Sequence, residues 1–283
     1  ALQTKLLQIP HPTLDVIKGI SQMHESIFGN LKGITSILES NKPYLAQINS
    51  LQFAMSGISG QIAAIAADDI RGLTSNQIAV LTTDQASALT AAQITALNSK
   101  QLSGLNSSHL AVFTNTQLLA IELADIPGLS SLAVRGINIS DLSTNQVKAL
   151  TSVQISSLTT DQITALSQLQ IQAIDTDDVA RLTTAQIVAL SVTQIAQLTT
   201  DQAVALGSSH LRALTTDQVA ALTLDQISVI DTDDIKGMTT TQIAALSPAQ
   251  LQEFTTAQIA VLNSAHIRAF NTDQITAFSA DQI

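Results

Sequence analysis

Leu158-Thr159-Thr160-Asp161-Gln162-Ile163-Thr164-Ala165, followed at once by Leu166, is one complete eight-residue unit whose pattern points to a single architecture. Taking Leu158 as position one, apolar residues fall at positions one and six, while positions two to five are polar. Thr159 belongs to the residue types preferred at a helix N-cap. Gln162 follows three residues later, the spacing of a capping box, in which each side chain satisfies the other residue's free backbone donor. Asp161 lies in the first turn, at the positive end of a helix dipole. The unit therefore reads as one short helix carrying its own start signal.

The same frame extends outward in both directions. Towards the N-terminus position one is taken by Leu150, Leu142, Leu129, Ile121, Phe113, Leu105, Leu97, Leu89, Leu81, Leu73 and Ile65, and towards the C-terminus it holds through Phe278. Start signals recur with it: Thr199 with Gln202, Thr215 with Gln218, and Ser247 with Gln250. Pro248 directly follows Ser247, at the first helical position, where a missing N–H costs nothing. Acidic residues gather at position four (Asp84, Asp201, Asp217, Asp225, Asp273, Asp281) and basic ones at position seven (Arg71, Lys148, Arg212, Lys236, Arg268), matching the two ends of a helix dipole. Ala at position eight is expected to let neighbouring helices approach closely.

Two rival folds fail on the same residues. In one unbroken helix an eight-residue repeat drifts by about 80° per unit, so positions one and six could form no fixed seam. A β-solenoid conflicts with the Ala and Gln content and with the asymmetric placement of charge. The expectation is an all-α fold, a solenoid of short capped helices, one per octapeptide. A single octad cannot fold alone, because ordering its backbone costs more than burying one Leu and one Ile returns. Stability then lies in stacking neighbours on a shared apolar axis.

Residues 1–64 do not follow the octad. Apolar residues at Leu14, Ile17, Ile20, Met23, Ile27, Leu31, Ile34, Ile37 and Leu38 have helical spacing, and a second helical pattern follows Pro43, so an N-terminal helical hairpin is expected. Residues 65–283 form the repeat domain, with an irregular insert near 137–141 that breaks the phase and should bulge from the coil. A longer rhythm is superimposed: Asp-rich variants begin at Ile65 and Ile121, seven octads apart, and again at Ile174 and Ile230. That 56-residue period suggests a whole number of superhelical turns, or a relic of segment duplication.

Composition limits function more than it assigns it. The net charge of −10, with only 12 Lys and Arg, argues against nucleic acid, whose binding depends on basic residues releasing counterions. Cys is absent, which removes disulfides, thiolate metal sites and thiol nucleophiles. No apolar run reaches the length of a membrane-spanning helix. The Ala1-Leu2-Gln3-Thr4-Lys5 start has no secretory-signal pattern, so either a leader was removed or export takes another route. No phosphate loop, nucleophile elbow or pair of catalytic carboxylates is present, and no cofactor is implied. A non-enzymatic role is expected.

Two groups of residues are candidate ligand sites. Asp175, Asp177 and Asp178, with Asp231, Asp233 and Asp234, place several carboxylates together, as Ca2+ prefers, yet lack the Gly and distal Glu of an EF-hand loop. Their positions correspond to cap, first turn and Gln replacement, and that reading is preferred. His109, His210 and His266 stand where position five otherwise holds Gln, and read as hydrogen-bonding substitutes for it.

The run Leu158 to Leu166 and its copies resemble the octapeptide arrays of large bacterial secreted or surface-associated proteins. The resemblance implies a protein outside the cell or on its surface. The expected role is structural: a self-assembling subunit of a filament, surface layer or adhesive fibre, whose main partners are copies of itself. The repeat runs into Phe278 and Ile283 without a polar capping unit, so an apolar end is expected to stack head-to-tail on a neighbour, with Ile27, Leu31 and Ile34 of the hairpin as its counterpart. The alternative is a secreted binding module or effector whose surface docks a host or other surface protein.

Overall fold

The computed structural model describes residues 62–283, together with residues 22, 23 and 27, which are helical. The chain divides into two compact units, 1–64 and 65–283. The hairpin expected in the first unit, including Leu31 and Ile34, lies outside the described residues, while Ile27 is 42% exposed.

Residues 65–283 form a stack of helices four to six residues long, joined by extended corners, with no strand among the described residues. The corner follows from the capping chemistry. Helix Thr160–Ala165 ends at Leu166, whose backbone is extended (φ −64°, ψ 130°). Ser167 is extended as well (φ −71°, ψ 164°) and caps the next helix, Gln168–Gln172. Two extended residues thus redirect the chain without any positive φ, and no described residue adopts one. Helices this short are unstable alone in water, so packing must hold them.

Each helix packs on the helix three units later: Thr160–Ala165 on Thr184–Ala189, and that one on Ser208–Ala213. Three octads therefore complete one turn, giving a three-sided coil with a single apolar axis. Position one and position six fill the axis, as in Leu158, 4% exposed, and Ile163, 1% exposed. Position eight lies at the corners, where Ala189, Ala213 and Ala245 are only half-buried. The close approach expected of alanine there is made instead by glycine. A Cβ on Gly128 or Gly136 would lie 2.1 or 1.9 Å from the carbonyl oxygen of Ser99 or Ser107, one turn earlier.

Segment 137–141 is not a bulge. Ile139–Asp141 is a 3-10 turn that packs against helices Asn115–Leu119 and Thr160–Ala165, with Ile137 and Ile139 buried. Five residues make one complete side of the coil. A single 3-10 turn bridges two corners that a normal helix spans with three more residues. Counted in sides, the phase is unbroken.

That count also corrects the reading of the long period. The units that begin at Ile65, Ile121, Ile174 and Ile230 are each seven sides apart, the short side included. With three sides per turn, seven sides make two and one-third turns. Successive variants consequently fall on successive faces and never stack on one another.

Candidate functional site: the amide ladder between turns

The capping boxes exist as geometry. Thr159 N–H donates to Gln162 Oε1 at 2.9 Å, and Gln162 N–H donates to Thr159 Oγ1 at 3.2 Å. The same pair of bonds joins Thr199 with Gln202, Thr215 with Gln218, and Ser247 with Gln250, the last with Pro248 at the head of its helix.

Capping uses only half of each glutamine. Its Nε2 points along the coil and donates to two backbone carbonyls of the preceding turn. For Gln162 these are Val134 and Ile137, both at 2.8 Å. For Gln202 they are Ile171 at 2.7 Å and Ile174 at 2.8 Å. The acceptors lie at the C-terminal end of a helix, among carbonyls that have no partner within the helix itself. One buried side chain therefore closes the N-terminus of its own helix and the C-terminus of another, one turn away. Gln226 and Gln258 are each 1% exposed, and a buried amide is stable only when its donors and acceptors are used.

Sequence reasoning found the cap and missed the ladder. A signal was available: no position five holds Glu, although Glu serves a capping box as well as Gln does. Only a side chain with both an acceptor and a donor makes cap and ladder together; Asp and Ala, where they stand at this position, do not. Separation along the chain reports the short side independently. A Gln amide normally reaches the position-one carbonyl 28 residues earlier, as Gln186 reaches Leu158. That separation is 25 for Gln146 to Ile121, Gln154 to Leu129 and Gln162 to Ile137, the three bonds that span 137–141.

Histidine serves as the expected substitute. His109, His210 and His266 place Nε2 against the carbonyls of Leu81 (2.8 Å), Leu182 (2.7 Å) and Met238 (3.0 Å). These contacts make Nε2 the protonated nitrogen, because a carbonyl can only accept. The Nδ1 atoms of His210 and His266 are buried without a partner, so the substitution is incomplete. Gly207, at the cap before His210, supplies no side chain to compensate.

At Asp125 and Asp234, aspartate in position five reverses the polarity of the joint. Asp125 Oδ1 accepts Ser99 N–H, 26 residues earlier, at 2.7 Å. The carboxylate thereby caps helix Ser99–Leu102 from the next turn. Asp234 is hydrogen-bonded to Ser208 in the same relation, but burial dominates and holds its carboxyl above the usual carboxylate range. Its neighbour Asp233 is exposed and bonded to Lys236 at 2.6 Å, which holds it below that range.

The expected cap role fails at Asp175, whose side chain makes no cap hydrogen bond. It pairs across a turn with Lys148 Nζ at 3.4 Å instead. Asp231 accepts Asp233 N–H and the Thr232 hydroxyl, each at a long 3.4 Å. Among the described residues no three His or acidic groups converge on one point. At the last turn Phe278 meets Phe270 edge to face at 5.3 Å, and Ile283 is 90% exposed.

These bonds define a repeat in which Leu182-Thr183-Thr184-Ala185-Gln186 is a complete example of axis, cap and ladder. The ALTTAQ repeat model matches residues 62–99, 138–168, 171–208, 204–229, 227–264 and 256–283. The chain belongs to the ALTTAQ repeat family. No curated protein matches it. The stretch between the first two ALTTAQ matches contains Asp125 and Ala133 at position five and the 3-10 turns that replace helices, so the weakest sequence signal coincides with the least regular turns. Among the described residues no helix is long and apolar enough to cross a membrane.

Proposed function

We propose that this chain is a non-enzymatic structural protein that self-assembles into a filament, surface layer or adhesive fibre outside the cell. The observation that carries the proposal is the one-sidedness of the interface between turns. Each turn offers glutamine amides in one direction and helix-end carbonyls in the other, around the same apolar axis. A head-to-tail interface that repeats without closing generates an open fibre, whether the repeating element is a turn or a whole chain. The secreted and surface-associated arrays that the octads resemble support a place outside the cell.

The experiment is sedimentation of purified chain over a wide concentration range, with electron microscopy of the same samples. Concentration-dependent growth into fibres is expected. A monomer at all concentrations overturns self-assembly.

A second reading, a module that docks another protein, has one observation in its favour. Asp177, Asp201, Asp225 and Asp273 are all exposed on one face, the first three on helices that stack directly on one another and Asp273 two turns beyond Asp225. A shallow groove between the first two of these turns is lined by Thr176, Asp177, Ala180, Asp201, Val204 and Ala205. A soluble monomer that loses a partner when Asp201 becomes Lys would favour this reading.

A further inference from the structure

We propose that the units built on Asp178 and Asp234 are joints that open more readily than the regular units of the stack, placed so that it yields on two different faces. A regular unit is fastened by four side-chain bonds. In the unit beginning at Leu182, Gln186 makes two within its capping box and two to the turn before. The units beginning at Ile174 and Ile230 have no capping box, and their helices, Thr176–Val179 and Thr232–Ile235, are only four residues long. Neither Asp178 nor Asp234 has an N–H with which to reach the carbonyls that a glutamine would claim. Asp234 offers its bonds to Ser208 alone.

Burial on the axis does not make up the difference, because position six is equally buried in both kinds of unit. Val179 and Ile235 are 1% and 0% exposed, as buried as Ile187 and Ile227 at the same position of regular units. The backbone bonds also match: Ile235 N–H donates to Asp231 at 3.0 Å and Ile227 N–H to Thr223 at 3.0 Å. What differs is the fastening between turns. Seven sides separate the two joints, and three sides make a turn, so the second joint lies one face on from the first. A stack that opens at both bends in two directions and does not curl one way. This inference is independent of whether the chain polymerises.

Amide hydrogen exchange on the full chain, resolved by residue, tests it. Val179 and Ile235 are expected to exchange faster than Ile187, Ile227 and Ile243 by about fivefold or more, the factor that a single N-cap is worth. The double variant Asp231→Thr, Asp234→Gln restores the box and the two amide bonds. It should slow Ile235 to the rate of Ile243 and leave Val179 unchanged. A smaller difference in the native chain overturns the proposal, and so does an Ile235 rate that the folded double variant leaves unaltered.

Discussion

Gln186 Nε2 lies 2.9 Å from the carbonyl oxygen of Leu158, 28 residues earlier, while Gln186 Oε1 takes Thr183 N–H at 2.8 Å. The side chain is 2% exposed, so nothing but protein can satisfy it. This relation makes the octad more than a helix with a good cap. In a regular unit it couples the start of one helix to the end of another, which takes a donor and an acceptor from one residue.

Gln186→Glu tests that demand. The carboxylate keeps the acceptor but aims an unpartnered negative charge at the carbonyls of Ile155 and Leu158. A destabilisation of about 3 kcal/mol or more is expected in urea unfolding at neutral pH. A buried acid of this kind holds its proton to higher pH in the folded chain than in the unfolded one, so the loss should shrink as pH falls. An equal loss at pH 4 and pH 7 would show that the donor is not what matters.

Glycine at the corners gives a contrast between two positions of one residue type. Gly136→Ala drives a Cβ to 1.9 Å from Ser107 O, a backbone atom that cannot move alone. Strain of about 2 kcal/mol or more is expected. Gly207→Ala meets nothing within 4 Å and should be close to neutral. Equal thermal stability of the two variants would contradict the close approach of these turns.

Helix order, cap residues and the apolar axis were legible in the sequence because each rests on local chemistry: Thr159 and Gln162 are three residues apart, and Leu158 and Ile163 share one unit. The number of sides per turn was not, because it is set by which helix packs on which, and identical octads give no hint of their partner. The segment 137–141 read as an insert for the same reason. Counting residues shows five extra, whereas the coil counts corners, and Ile137 and Leu142 are consecutive corners. Asp125 read as part of a local variant, since its partner Ser99 sits 26 residues away.

Two adjacent carboxyls should titrate in opposite directions. Lys236 holds Asp233 below the ordinary 3.8, and burial, against the opposing hydrogen bond from Ser208, holds Asp234 above it. The lowered Asp233 contributes stability that is present above 3.8 and lost as pH falls through its folded value. For Asp234 the sign is reversed. The folded chain binds the extra proton, so its contribution is most favourable below 3.8 and declines as pH rises through the folded value. Carboxyl carbon shifts followed by NMR from pH 2 to pH 7, a window of about five units around a carboxyl midpoint, would place Asp234 above Asp233. The reverse order would refute the assignment.

The incomplete substitution at His210 predicts a gain from repair. Gly207 has the extended backbone of an N-cap (φ −76°, ψ 173°) and open space where a side chain would begin. Ser there can accept His210 N–H, and Gln in place of His210 can accept Gly207 N–H while still reaching the Leu182 carbonyl. The double variant Gly207→Ser, His210→Gln would rebuild the box and remove the buried Nδ1 that has no partner. A gain of about 1 to 2 kcal/mol is expected, from one cap and one restored buried polar group. Each single variant should give less than half of it, because either residue alone makes only one of the two reciprocal bonds. A double-mutant cycle by chemical unfolding measures that coupling, and strict additivity would mean that the two side chains do not act as a box.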